Sequence, residues 1–104
     1  MDQDGPVNFS VAAVVADQRV TVTVAGEVDM ATADEMFSSA TPDGVTAATL
    51  DLRAVTFFDS AAIHAVVRLA ERYPAALEVL PSPQVLRVLE ISGLSGQPWL
   101  RPAG

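Results

Sequence analysis

Asp59 and Ser60 open a helical pattern that carries His64 and Arg68 one and two turns further on, so the four side chains can share one surface. A serine and a histidine four residues apart can approach each other as nucleophile and base. Asp59, however, precedes the helix and is badly placed to orient the far side of the His64 imidazole. No glycine-rich loop is present to stabilise an oxyanion, so the geometry argues against a hydrolase. Asp29, Asp51 and Asp59 fall near strand ends and could offer oxygen ligands to a hard cation. They lack any ligand-spacing motif and are more simply solvated or capping carboxylates. Gly26 stands alone, and without a lysine no phosphate-cradling P-loop can be built. With no cysteine either, thiolate chemistry is excluded, and no cofactor is expected. Ser60 is itself expected at the helix N-cap, where Ser and Asp oxygens accept bonds from first-turn amides.

The elements that must position these residues are legible in the pattern of apolar side chains. Val7, Phe9, Val11 and Ala13 alternate with smaller residues, and Arg19 to Val24 alternates strictly with β-branched residues. Asp17-Gln18 separates the two runs, which predicts an antiparallel hairpin with one buried face, ended by Gly26. Thr32 to Glu35 has capping-box spacing, and Ala33, Met36, Phe37 and Ala40 follow at helical intervals. After a turn at Thr41 to Gly44, a strand is expected over Val45 to Leu52, with Ala48, Leu50 and Leu52 on one face. A short aromatic loop through Phe57 and Phe58 then delivers Asp59-Ser60 to the second helix, whose core stripe is expected at Ile63, Val66, Val67 and Ala70. Tyr73-Pro74 stops that helix, and Leu77 to Leu80 is a short strand. Ser82-Pro83 caps a third helix that buries Val85, Leu86, Val88 and Leu89 and stops at Gly93. The order β-β-α-β-α-β-α predicts one α/β domain over residues 1–104, with helices packed on a mixed sheet.

The net charge is −7, carried unevenly. Residues 1–59 hold ten acids and two arginines, a balance of −8, whereas residues 60–104 hold three acids and four arginines, a balance of +1. Nucleic acids and anionic membranes both require basic patches, so neither is an expected partner. A basic protein surface is. The acidic start of the chain is unlike a secretory signal, and no apolar run is long enough to insert in a bilayer, which predicts a cytoplasmic protein.

The run Gly26-Glu27-Val28-Asp29-Met30-Ala31-Thr32-Ala33, followed by Leu50-Asp51-Leu52 and then Val55-Thr56-Phe57-Phe58-Asp59-Ser60, resembles the two signature blocks of STAS domains, the anti-sigma-factor antagonist family of bacteria. Leu86 to Leu94, ending Ile91-Ser92-Gly93-Leu94, resembles the third block, and the likeness spans residues 7–100. It implies a regulatory binding module rather than an enzyme. In that family the serine after the Asp is phosphorylated by an anti-sigma factor with serine kinase activity, and only the unphosphorylated form captures that partner. Residue matching places the phosphoacceptor at Ser60 and the docking surface at Glu27, Asp29, Thr32, Asp59, Ser60, Ala61, His64 and Arg68. The free protein is expected to be a monomer. Family members commonly continue Ser-Ser-Gly-Leu-Gly after the Asp, whereas this chain has Ser60-Ala61-Ala62-Ile63-His64. Ala61 removes the second hydroxyl and leaves Ser60 as the only candidate phosphoacceptor in the block, and Ala62 and His64 are expected to make the docking surface bulkier. The same resemblance also fits a small STAS subunit of a lipid-trafficking ABC transporter, or of a stress-signalling assembly. Family domains usually add a strand and a closing helix after the third helix. Here only Pro98-Trp99-Leu100 could supply a remnant strand, leaving a surface for something else to cover.

Overall fold

The computed structural model describes residues 8–102, so the predicted place of Val7 in the first strand lies outside the described residues. Seven elements follow in the expected order: β1 (Phe9–Ala16), β2 (Arg19–Val28), α1 (Ala33–Ser39), β3 (Ala47–Phe58), α2 (Ser60–Arg72), β4 (Leu77–Pro81) and α3 (Pro83–Ile91). The sheet order is β1-β2-β3-β4, antiparallel in the first pair and parallel in the other two. Asp17 and Gln18 both take left-handed conformations (φ 53° and 65°), the two-residue turn whose twist matches a hairpin. Val20, Val22 and Val24 are fully buried while Arg19, Thr21 and Thr23 are exposed, so helices cover one face of the sheet and the other stays open. On that open face Arg19 Nη1 donates to Thr49 Oγ1 (2.8 Å), and Arg101 Nε donates to Glu78 Oε2 (3.1 Å).

Three expectations about the strands need correction. Burial of one face holds for β2 but for only part of β1, where Phe9 and Val11 are half-buried and the rest is exposed. Gly26 does not end the hairpin, because β2 runs on to Val28. The glycine is needed within the strand: its φ is +93°, and a Cβ there would lie 2.1 Å from the Asn8 carbonyl oxygen, too close for any side chain. The aromatic loop is also strand. β3 continues to Phe58, and its register against β2 slips twice, between the pairs Thr23↔Asp51 and Ala25↔Ala54 and again between Gly26↔Val55 and Glu27↔Phe57. Each slip gives β3 an extra residue, so its buried positions change from every second residue (Ala48, Leu50, Leu52) to every third (Val55, Phe58). Lost alternation looks like a loop in the sequence.

The helices pack Met36, Val66, Leu69, Val85 and Leu89, all fully buried, onto the valines and leucines of the sheet. The core stripe of α2 is Ala62, Ala65, Val66 and Leu69; Ile63, Val67 and Ala70 lie on its flanks, about a third of a turn from the expected line. In α3, Val85 and Leu89 are buried and Leu86 and Val88 half-buried. Gly93 (φ +80°) closes it: the Gly93 and Leu94 amides donate to the Glu90 and Leu89 carbonyls, a Schellman end. Trp99 and Leu100 form a single parallel bridge beside β4, with the Val79 amide donating to the Trp99 carbonyl (2.9 Å) and Arg101 to Val79 (3.0 Å). This is the remnant strand, and no helix follows α3 among the described residues.

Ser82 fastens α3 to β3. Its buried hydroxyl donates to the Val55 carbonyl (2.6 Å) and accepts from the Val85 amide (3.1 Å), so one side chain satisfies a bulge carbonyl and a helix start. Ser82→Ala leaves both partners unmet in the core, and should lower stability by about 1 to 3 kcal/mol. The check is a lower urea midpoint at unchanged slope. Gly26→Ala should cost on the order of 1 to 3 kcal/mol in backbone strain alone, with the steric overlap in addition, read as a depressed thermal midpoint.

Candidate functional site

Because β2 and β3 are parallel, the segments that leave them emerge at the same end of the sheet. The Asp59 amide donates to the Val28 carbonyl (3.2 Å), tying the start of α2 to the end of β2. Between Val28 and α1, Asp29 Oδ1 accepts from the Ala31 amide (2.9 Å), and the Asp29 carbonyl accepts from the Thr32 and Ala33 amides (3.0 and 2.8 Å). Thr32 does not build the expected capping box. Its hydroxyl makes no bond to its own helix and instead accepts from the Asp29 amide (2.9 Å), while its proton faces the Glu27 carbonyl (3.1 Å) and Asp29 Oδ1 (3.2 Å). Its backbone is already helical (φ −118°, ψ −13°) rather than extended, so the hydroxyl is turned toward the loop. Glu27 is exposed and steadied by Asn8 Nδ2 (3.1 Å).

At the head of α2 the expectation that Ser60 is the N-cap is corrected. Asp59 is the N-cap: extended backbone, with its carboxylate accepting from the Ala62 amide (3.1 Å). Ser60 is the first helical residue, exposed, and its hydroxyl makes no hydrogen bond among the described residues. The cap is filled without it. Further along, His64 and Arg68 are exposed on the same stripe, and the Arg68 guanidinium lies 4.0 Å above the Phe37 ring of α1. The stripe therefore runs along the side of α2 that faces α1. Ala61 is half-buried on that helix start, and Ala62 is fully buried. The expectation that Ala62 adds bulk to the surface is thus corrected: its methyl group fills core, and His64 alone adds outward bulk.

The structure brings Glu27, Asp29, Thr32, Asp59, Ser60, Ala61 and His64 to one end of the molecule, with Arg68 further up the stripe. Two exposed apolar residues belong with them and were not singled out in the sequence: Met30, 83% exposed, and Phe57, 49% exposed and paired in register with Glu27. The signal for Phe57 was the broken alternation of β3; for Met30 it was an apolar side chain inside an otherwise polar turn.

The three aspartates considered as cation ligands are each spent locally. Asp51 forms a two-pronged pair with Arg53 (Nε to Oδ1, 2.9 Å; Nη2 to Oδ2, 2.8 Å) on the strand, away from the loops that hold Asp29 and Asp59. No group of three potential ligand side chains forms among the described residues. Asp59 also does not orient His64, since its carboxylate serves the Ala62 amide.

A family model described as Mlab, STAS domain, matches residues 11–102, and the chain belongs to the STAS-domain family. No relative among the curated proteins matches it. Among solved structures it is similar to an anti-sigma factor antagonist from Mycobacterium paratuberculosis (24% identity, TM-score 0.78, covering 97% of this chain and 92% of the other). It is also similar to the anti-sigma factor antagonist SpoIIAA in its unphosphorylated form (24%, TM-score 0.67, 92% and 88%). The phosphorylated form of SpoIIAA from Bacillus is a further likeness (24%, TM-score 0.60, 92% and 91%). These likenesses establish the STAS fold. No helix among the described residues is long and apolar enough to cross a membrane.

Thr32→Val keeps shape but removes the acceptor for the Asp29 amide, so that amide should exchange with solvent faster, with a stability loss of about 1 kcal/mol. Arg53 holds the Asp51 carboxyl below its ordinary value of 3.8, chiefly through the side-chain hydrogen bond. A carboxyl lowered in the folded state stabilises above its unfolded value and loses that contribution as the pH falls through the folded one. Arg53→Ala should therefore lower stability slightly at neutral pH, with the difference from wild type shrinking as the pH falls through the carboxylate range in urea titrations; the effect is kept small by Arg53, whose side chain is 68% exposed against 18% for Asp51.

Proposed function

We propose that this chain is a cytoplasmic anti-sigma-factor antagonist: a binding module, not an enzyme, that docks an anti-sigma factor with serine kinase activity and is released when Ser60 is phosphorylated. The observation that carries this reading is the Ser60 hydroxyl, exposed at the first position of α2 and unused by the fold because Asp59 fills the cap. Similarity to proteins solved as anti-sigma factor antagonists, one of them in both phosphorylation states, supports it.

In the transfer, Ser60 Oγ forms a bond to the γ-phosphorus of ATP held by the partner. The bond from that phosphorus to the β–γ bridging oxygen breaks, ADP leaves, and the hydroxyl proton passes to a base of the kinase. The product carries about −1.5 to −2 charges at the α2 N-terminus. The free first-turn amides and helix dipole tolerate that charge, worth roughly 0.3 to 1 kcal/mol of stabilisation at an exposed site. A partner fitted to the neutral hydroxyl meets it beside Asp59, Asp29 and Glu27. Each contact near 4 Å between that phosphate and an acidic group of the partner costs on the order of 1 to 4 kcal/mol, so two such contacts abolish a micromolar complex, whereas repulsion from the chain's own carboxylates is present before docking as well. The switch acts on docking and leaves the fold intact.

A second reading, a STAS subunit of a lipid-trafficking ABC transporter or a stress-signalling assembly without phosphoswitching, is favoured by a surface on a different helix from Ser60. The outer side of α3 exposes Ile91 (81%) beside Leu86 and Pro83, which a permanent partner would cover. Affinity capture from the native host with wild type and Ser60→Asp separates the two. The switch predicts that an ATP-binding anti-sigma factor is retained by wild type and lost by Ser60→Asp, although both proteins unfold within about 0.5 kcal/mol of each other. Transporter subunits retained by both would overturn it.

A further inference from the structure

Among the described residues no strand pairs with the outer edge of β1. Edge strands are ordinarily blunted by charges, prolines, bulges or a covering element. Among the described residues β1 has none of these along Phe9–Ala16: its sequence is FSVAAVVA, and it pairs with β2 residue for residue without a bulge. Val14 and Val15 are 67% and 54% exposed.

The turn fixes which backbone groups face outward. In a two-residue hairpin the closing pair, here Ala16↔Arg19, exchanges both its hydrogen bonds, and inward and outward residues then alternate. The Asn8 carbonyl accepting from Glu27 (2.7 Å) obeys the same parity. The N–H and C=O groups of Phe9, Val11, Ala13 and Val15 therefore point away from the sheet. Their side chains share the helix-covered face, since Val11, Ala13 and Val15 lie opposite the buried Val24, Val22 and Val20. That face is covered unevenly along β1. Phe9 and Val11 are half-buried, whereas Ala13 and Val15 are bare.

We propose that β1 pairs antiparallel with β1 of a second copy of this chain, about a two-fold axis at Ala12, to make one continuous sheet. In that register Phe9 lies opposite the second copy's Val15, and Val11 opposite its Ala13, so every outward group meets an outward group. The bare half of each strand falls beside the half that the other copy holds under its helices, which is the complementarity an isologous contact requires. Small Ala12 sits on the axis. The strands bring no charge together, so the net charge of −7 lies elsewhere on each molecule. Ser60 opens the helix after β3, two strands from this edge, so pairing leaves the proposed switch surface free. This reverses the sequence-based expectation of a free monomer.

The test is sedimentation equilibrium of the full chain over a range of concentrations, with hydrogen exchange of the β1 amides. A concentration-dependent dimer is expected, in which the Phe9, Val11, Ala13 and Val15 amides become protected as dimer forms. Ala13→Pro removes one outward donor and no β2 ladder bond, and Val15→Lys adds a charge at an exposed position. Both should be monomeric where wild type is paired, with wild-type circular dichroism. A monomer at every concentration would overturn the proposal, as would a dimer that survives both substitutions or leaves those four amides unprotected.

Discussion

The parallel pairing of β2 with β3, and the two extra residues that β3 carries within it, decide where every candidate functional side chain stands. Without the extra residues the alternation of Ala48, Leu50 and Leu52 would continue through Ala54 and Thr56 and place Val55 out of phase with the core. With them, Val55 is buried, Ala54 and Thr56 are exposed, Phe58 returns to the core, and the strand ends level with Val28. The bond from the Asp59 amide to the Val28 carbonyl then joins the two strand ends, so the loop at Asp29 and the start of α2 form one surface. Ser82 braces the same region from the other side through the Val55 carbonyl. The site is thus rigid for reasons that lie in the sheet.

On that base the local chemistry divides cleanly between neighbours. Asp29 and Thr32 satisfy the backbone of their own turn, and Asp59 satisfies the first turn of α2. Ser60 has nothing to satisfy. A hydroxyl with no structural duty can be changed at little cost to folding, and a helix start accepts added negative charge. Those two properties make a modification at this position a matter of recognition. In the proposed switch the surroundings add to this, because Glu27, Asp29 and Asp59 supply negative charge at that end of the molecule and Met30 and Phe57 leave apolar surface exposed there.

Much of this was legible in the sequence where a local rule operates alone. Strict alternation marked β2, Ser82-Pro83 marked the start of α3, and Gly93 its end, since each depends on residues a few positions apart. The features that were misread depend on partners distant in the chain. Gly26 looked like a terminator because its positive φ signals a turn, yet its reason is the Asn8 backbone across the hairpin. Thr32 had capping-box spacing but found better partners in the Glu27–Asp29 backbone. The β3 bulges removed the alternation by which a strand is recognised, and α2 was rotated because Ala62 and Ala65 are small enough to lie closest to the sheet, displacing the larger Ile63 and Val67 to the flanks. The site residues themselves came from the family resemblance, which carries order and spacing. That Asp59 rather than Ser60 fills the cap follows from where β3 ends, which the sequence pattern hides.

The proposed switch requires that the Ser60 hydroxyl accept phosphate and that the change be felt locally. The most direct measurement is to incubate the isotope-labelled chain with ATP and an extract of the native host, map the phosphate by mass spectrometry, and record amide chemical shifts before and after. Phosphate on Ser60 alone, with shifts confined to the starts of α1 and α2 and the turn between β2 and α1, is the predicted result. Phosphate elsewhere, no phosphate at all, or shifts spread through the core would contradict it.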